Sequence, residues 1–179
     1  MKQLIAGSHA ECKSRIWLLD LDPIMVKLMD KKEGKGWTLE QALLAVGEYR
    51  RFLFLTVTRE ETIVPTEFVD AVWHAHILDT MKYAKDCEEI FGFFLHHFPY
   101  FGMRGEEDQA TLQSTFRASA GIYEAAFGQP YYVGLNGANC GTCGPNACGS
   151  CAGSGLIPPQ KDVFRDVVRS DHRPVLAIA

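Results

Sequence analysis

Residues 65–91 constrain the fold of this chain most, because their apolar side chains recur at helical spacing along the whole stretch. At about 100° per residue, one face of a helix collects most of the apolar side chains. That face carries Val69, Val72, Trp73, His76, Thr80, Tyr83, Ala84, Cys87 and Ile90. The opposite face carries Asp70, His74, Lys82, Lys85, Asp86, Glu88 and Glu89. The pattern predicts one amphipathic helix that ends at Gly92.

Capping signals predict three further helices. Asp22-Pro23 is typical of a helix start, and a helix is expected from about residue 23 to 32. Thr38 and Gln41 form a T-x-x-Q capping box before a helix that runs to about residue 55. A last helix is expected over 107–127, with Gly128 as its C-terminal cap. We therefore predict an all-α fold, a compact bundle of four to six helices.

A change in composition marks the end of this bundle. Residues 128–155 contain no charged side chain and hold half of the 16 glycines. Such a stretch lacks the apolar residues that a packed core needs. The predicted organisation is a helical domain over 10–130, a flexible Gly/Cys-rich tail over 131–158 and a short amphipathic segment over 159–179.

Charge and hydrophobicity exclude some classes of function. The net charge of −4 provides no basic surface, so nucleic acid is not an expected partner. No apolar run reaches the roughly 18 residues of a membrane span, and the N-terminal segment is too short for a secretory signal. We expect a cytoplasmic protein that is not attached to a membrane.

Four of the six histidines form two pairs, His74 with His76 and His96 with His97. Helical residues two positions apart point in nearly opposite directions, and neighbours in an extended segment alternate faces. The aromatic segment 93–102 contains Pro99 and is expected to be extended. A shared site would therefore use one histidine from each pair.

Two arrangements satisfy this condition. His76 can meet His96 or His97 in the interior, among Thr80, Tyr83 and Cys87. Alternatively, His74 can meet the other histidine nearer the surface, where Asp70 lies one helical turn away. Asp70 would then be a third ligand or an acceptor that fixes the imidazole tautomer. Two histidines and a carboxylate would hold zinc or non-haem iron with an open coordination position. Each histidine also has a purely structural interpretation, as a hydrogen-bonded core residue or a surface ion pair.

The histidine region resembles the glycine-rich domain-containing protein-like family. Its features are D-x-V-W-H-x-H-x-L at 70–78, Tyr83, Asp86-Cys87, and Leu95 with the second histidine pair. A later helix ending in Phe127-Gly128-x-Pro130 is also similar. The resemblance covers about residues 37–130 and implies a helical domain followed by a Gly-rich or Gly/Cys-rich tail. It implies no particular reaction.

The tail contains a second candidate metal site. Cys140, Cys143, Cys148 and Cys151 form two C-x-x-C units that are four residues apart. Two such units can supply a Cys₄ shell, although structural zinc sites usually have a longer linker. The alternatives are an unliganded tail and, less directly, iron–sulfur or redox chemistry.

Two functional hypotheses follow. In the first, the protein binds zinc or iron through Asp70 and one histidine from each pair, and its reaction is unknown. In the second, the helical domain is a non-enzymatic scaffold whose tail recruits a protein partner or is modified. Nucleophilic hydrolysis is disfavoured because the chain has no G-x-S-x-G motif and Cys87 is expected to be buried. A zincin mechanism lacks its H-E-x-x-H motif.

Overall fold

The computed structural model describes residues 9–131, which form six helices and no strand. The helices are α1 (His9–Leu18), α2 (Asp22–Met29), α3 (Leu39–Thr58), α4 (Glu67–Leu78), α5 (Thr80–Phe91) and α6 (Glu106–Phe127). The all-α prediction is confirmed. None of the helices in this range is long and apolar enough to cross a membrane.

Helix α3 is the centre of the bundle, and α1, α2 and α4 pack around it. Its capping box is present, since Thr38 Oγ1 accepts a hydrogen bond from the Gln41 amide and the Thr38 amide donates to Gln41 Oε1. Its buried side chains, among them Val46, Phe52 and Leu53, reach the neighbouring helices. The predicted capping box is therefore confirmed.

Helix α6 closes one side of the bundle through polar as well as aromatic contacts. Tyr123 Oη donates to Glu48 Oε2 on α3 over 2.5 Å, and Ser119 Oγ accepts from the Val64 amide over 3.0 Å. The helix ends at Gly128, whose φ of 68° lies in the left-handed region, as the sequence predicted.

Helix α1 was not predicted, because its sequence carries little periodic signal. Only Cys12 and Ile16 are buried among its ten residues, and Leu18 at its end is largely exposed. Arg15 connects α1 to α5, because its guanidinium donates a hydrogen bond to the Glu89 carbonyl near the end of α5.

The single helix predicted over 65–91 is wrong, since the chain breaks at Asp79 into α4 and α5. Asp79 has φ −82° and ψ 70°, outside the helical region. The break brings His76 Nε2 to 2.9 Å from Asp86 Oδ2. Ten residues of straight helix rise about 15 Å, which these two side chains cannot span. Tertiary contacts between the two halves therefore override the continuous helical pattern.

Candidate metal centre

The first two residues of the site lie on one face of α4. Thr66 caps this helix by accepting a hydrogen bond from the Val69 amide, and the Asp70 amide bonds to the Thr66 carbonyl. Asp70 is thus fixed in the first turn. His74 lies one turn later, with its Nε2 at 3.7 Å from Asp70 Oδ2. The i,i+4 spacing therefore places both side chains together, as expected from helix geometry.

His97 completes the group from the irregular segment that follows α5. Its Nε2 atom lies 3.0 Å from Asp70 Oδ1 and 3.2 Å from His74 Nε2. The exposed fractions of the side chains are 16% for His97, 31% for Asp70 and 52% for His74. The group therefore lies at the protein surface, and its His74 side is open to solvent.

The spacing of these three donor atoms matches what a metal ion requires. Zinc ligands lie about 2.0–2.2 Å from the ion, which puts tetrahedral ligands about 3.3 Å from one another. Here His97 Nε2 lies 3.2 Å from His74 Nε2 and 3.0 Å from Asp70 Oδ1, and His74 Nε2 lies 3.7 Å from the other Asp70 oxygen, Oδ2. Within residues 9–131, this is the one group of three metal-ligating side chains close enough to share an ion.

Aromatic contacts hold His97 in place. The Trp73 ring meets the His97 ring edge-on, with the centroids 4.5 Å apart. Trp73 is otherwise buried, and its Nε1 donates to Tyr83 Oη over 2.9 Å. The helical pattern identifies Trp73 and Tyr83 only as core residues and does not predict this link. The W-H dipeptide was a usable signal, since it puts a large ring next to a candidate ligand.

His76 belongs to a separate, buried network. Its Nδ1 lies 3.0 Å from Tyr49 Oη, and its Nε2 lies 2.9 Å from Asp86 Oδ2. Asp86 also accepts from Lys82 Nζ over 2.8 Å. The structure therefore does not bring His76 to His96 or His97. Asp86 is predicted on the polar face, but it is buried because the helix breaks at Asp79 between α4 and α5.

Burial and hydrogen bonding shape the acidity of this core. Burial alone would raise the pKa of Asp86, but hydrogen bonds from His76 and Lys82 outweigh it and the pKa is lowered. Burial raises the pKa of the Tyr49 phenol well above its ordinary value and also raises that of the Cys87 thiol. A buried thiol of raised pKa is a poor nucleophile, as predicted for Cys87.

The remaining predicted ligands lie apart from the group. His96 is exposed, and its ring rests against that of Phe94 with the centroids 4.9 Å apart. The four tail cysteines, Cys140, Cys143, Cys148 and Cys151, lie outside the described residues. Of the nine residues proposed as ligands, the structure thus brings together Asp70, His74 and His97.

Comparisons with known proteins identify one matching family model and two similar plant proteins. A family model described as UCP032817-like matches residues 16–124. Two Arabidopsis thaliana proteins, glycine-rich domain-containing proteins 1 and 2, are 32% and 31% identical to this chain over 93 residues. The match covers 49% of this chain but only 11% and 12% of those proteins. No solved structure matches the chain significantly.

Proposed function

The chain belongs to the UCP032817-like family and is similar to two glycine-rich domain-containing proteins, and we propose that it binds one transition-metal ion. The ligands are one carboxylate oxygen of Asp70 and the Nε2 atoms of His74 and His97. The group is open to solvent on the His74 side, so an ion bound there would keep coordination positions for water or a small ligand.

One observation carries this proposal, the approach of two imidazole nitrogens beside one carboxylate. His74 Nε2 and His97 Nε2 are 3.2 Å apart, and Asp70 Oδ1 is 3.0 Å from the second nitrogen. A single proton can bridge only one pair of these three atoms. One cation at their centre satisfies all three lone pairs at once.

The donor set favours zinc or iron over alkaline-earth ions. Two imidazoles and a carboxylate suit zinc, and they also match the ligand set of non-haem iron sites that keep open positions. Calcium and magnesium prefer shells made of oxygen alone. A bound ion of this kind would act as a Lewis acid toward a water or substrate oxygen.

The experiment is elemental analysis of the full, untagged chain purified anaerobically. Five proteins are compared: wild type, His74→Ala/His97→Ala, Asp70→Asn, His96→Ala, and a variant with serine at all four tail cysteines. His96→Ala is the matched control, because this exposed histidine is next to His97 but outside the group. Circular dichroism checks that each variant keeps its helices.

We expect about one equivalent of metal in wild type, the His96 variant and the serine variant, and little in the other two. Metal lost only in the serine variant would assign binding to the tail cysteines and overturn the histidine site. A metal-free wild type that also binds no added Zn²⁺ or Fe²⁺ would favour the scaffold hypothesis. Partner capture with and without the tail would then test that hypothesis.

We also propose a cytoplasmic location for the protein, which cell fractionation would test.

A further inference from the structure

The Tyr83 hydroxyl hydrogen-bonds both to α4, which carries Asp70 and His74, and to the segment that carries His97. It accepts a hydrogen bond from Trp73 Nε1 over 2.9 Å and donates one to the Leu95 carbonyl over 2.6 Å. Trp73 precedes the ligand His74 on α4, and Leu95 lies two residues before the ligand His97. The phenol is 1% exposed, so water does not compete for either bond.

These bonds restrict the segment that carries His97. Residues 92–105 contain no helix or strand, so their position depends on side-chain contacts. The Leu95 carbonyl is held by Tyr83, and the Leu95 backbone also hydrogen-bonds to the Cys87 side chain. Trp73, positioned by the same hydroxyl, packs against the His97 ring. Burial raises the pKa of the Tyr83 phenol, which keeps the proton that it donates.

We propose that Tyr83 is a positioning residue of the metal centre, whose hydroxyl holds His97 opposite Asp70 and His74. This inference rests on the proposed function, since the geometry it maintains is that of the metal ligands. Hydrogen bonds that orient metal ligands typically change metal affinity by about 10–100-fold when they are removed. The arrangement of the three ligands thus depends on a hydroxyl group that contacts none of them directly.

Tyr83→Phe tests this inference, because it removes the hydroxyl and keeps the ring that packs on His76 and Phe94. Tyr49→Phe is the matched control. Tyr49 is as buried as Tyr83, and its hydroxyl also bonds to α4, but at His76 on the face away from the metal centre. Zn²⁺ affinity of the full chain is measured by competition with a chromogenic chelator, and stability by urea unfolding.

We expect Tyr83→Phe to weaken Zn²⁺ binding at least about 10-fold, and Tyr49→Phe to retain nearly wild-type affinity even if both variants lose similar stability. Equal affinities in the two variants would overturn the positioning role, whether both are weakened or neither is. In that case wild type still binds Zn²⁺ and the proposed function stands.

A second measurement needs no metal. Amide hydrogen exchange of the metal-free chain is followed in peptides that cover residues 93–98. We expect faster exchange there in Tyr83→Phe than in Tyr49→Phe, because only the first variant releases the Leu95 carbonyl. Unchanged exchange in Tyr83→Phe would refute the inference even if wild type bound no Zn²⁺. A wild type that binds no Zn²⁺ would refute the proposed function and with it the role of Tyr83 toward a metal, whereas the exchange result alone decides whether the Tyr83 hydroxyl orders the segment that carries His97.

Discussion

The fold shifts the pKa values of two buried carboxylates in opposite directions. Asp86 accepts hydrogen bonds from His76 and Lys82, and these lower its pKa despite burial. Glu48 is buried against Tyr123 and Arg51, yet burial prevails over those contacts and its pKa is raised. The fold therefore favours the ionised form of Asp86 and disfavours that of Glu48 relative to the unfolded chain.

Asp86→Asn should lower the free energy of unfolding by about 1–3 kcal/mol at neutral pH, because it removes a charged acceptor from two hydrogen bonds. A depressed carboxyl pKa stabilises the fold above the unfolded value, and that contribution is lost as the pH falls through the folded value. The difference between wild type and variant should therefore shrink below about pH 4. Urea unfolding across an acidic pH series measures this.

Glu48→Gln serves as the control of opposite sign. Because the folded pKa of Glu48 is raised, wild type gains stability relative to this variant as the pH falls toward that pKa. Parallel pH profiles for both variants would contradict the opposing shifts assigned to the two carboxylates.

At the scale of the helix, glycine has two different roles in this chain. Gly92 ends α5 with φ 70°, where an L side chain is strained, and it begins the segment that carries His97. Gly47 lies within α3 in helical conformation, and a methyl group added there would meet no atom within 4 Å. The first glycine is required by the backbone, and the second only weakens its helix.

Gly47→Ala should raise the free energy of unfolding by about 0.5–1 kcal/mol, because alanine restricts the unfolded chain and favours the helix. Gly92→Ala should lower it by about 1–2 kcal/mol through backbone strain alone, since a methyl group there also meets no atom within 4 Å. Gly92→Asn should cost less than Gly92→Ala, because asparagine tolerates this conformation. Chemical denaturation compares the three variants, and stabilisation by Gly92→Ala would contradict the assigned cap.

At the scale of the whole molecule, Tyr131, the last described residue, packs into the core. Tyr131 is buried, its Oη donates to the Val64 carbonyl over 2.9 Å, and its ring packs on that of Tyr123 with the centroids 4.7 Å apart. The residues after α6 thereby join α6 to the loop before α4. The packed unit includes Tyr131, at the first position of the predicted tail.

A chain truncated after Tyr131 should unfold cooperatively, with a Tm close to that of the full chain. Truncation after Gly128 should be less stable by about 3–5 kcal/mol, the usual cost of removing a buried aromatic side chain. Thermal unfolding followed by circular dichroism compares the two. Equal Tm values for the two truncations would show that Tyr131 does not stabilise the fold.

Local sequence determined the ends of most helices and the placement of two of the three residues of the candidate site. The capping box at Thr38, the helix end at Gly128 and the shared face of Asp70 and His74 depend on residues at most four positions apart. Short-range geometry of this kind is the same in any fold that contains the helix. The all-α class followed from the same signals.

Tertiary structure alone decided which histidines meet. The break at Asp79 places His76 in a buried network with Tyr49 and Asp86, although the helical pattern runs through that position without interruption. The choice of His97 over His96 depends on contacts with Trp73 and Asp70, more than twenty residues away. Pairings over such distances depend on how the elements pack together, and the periodicity of a single segment does not encode them.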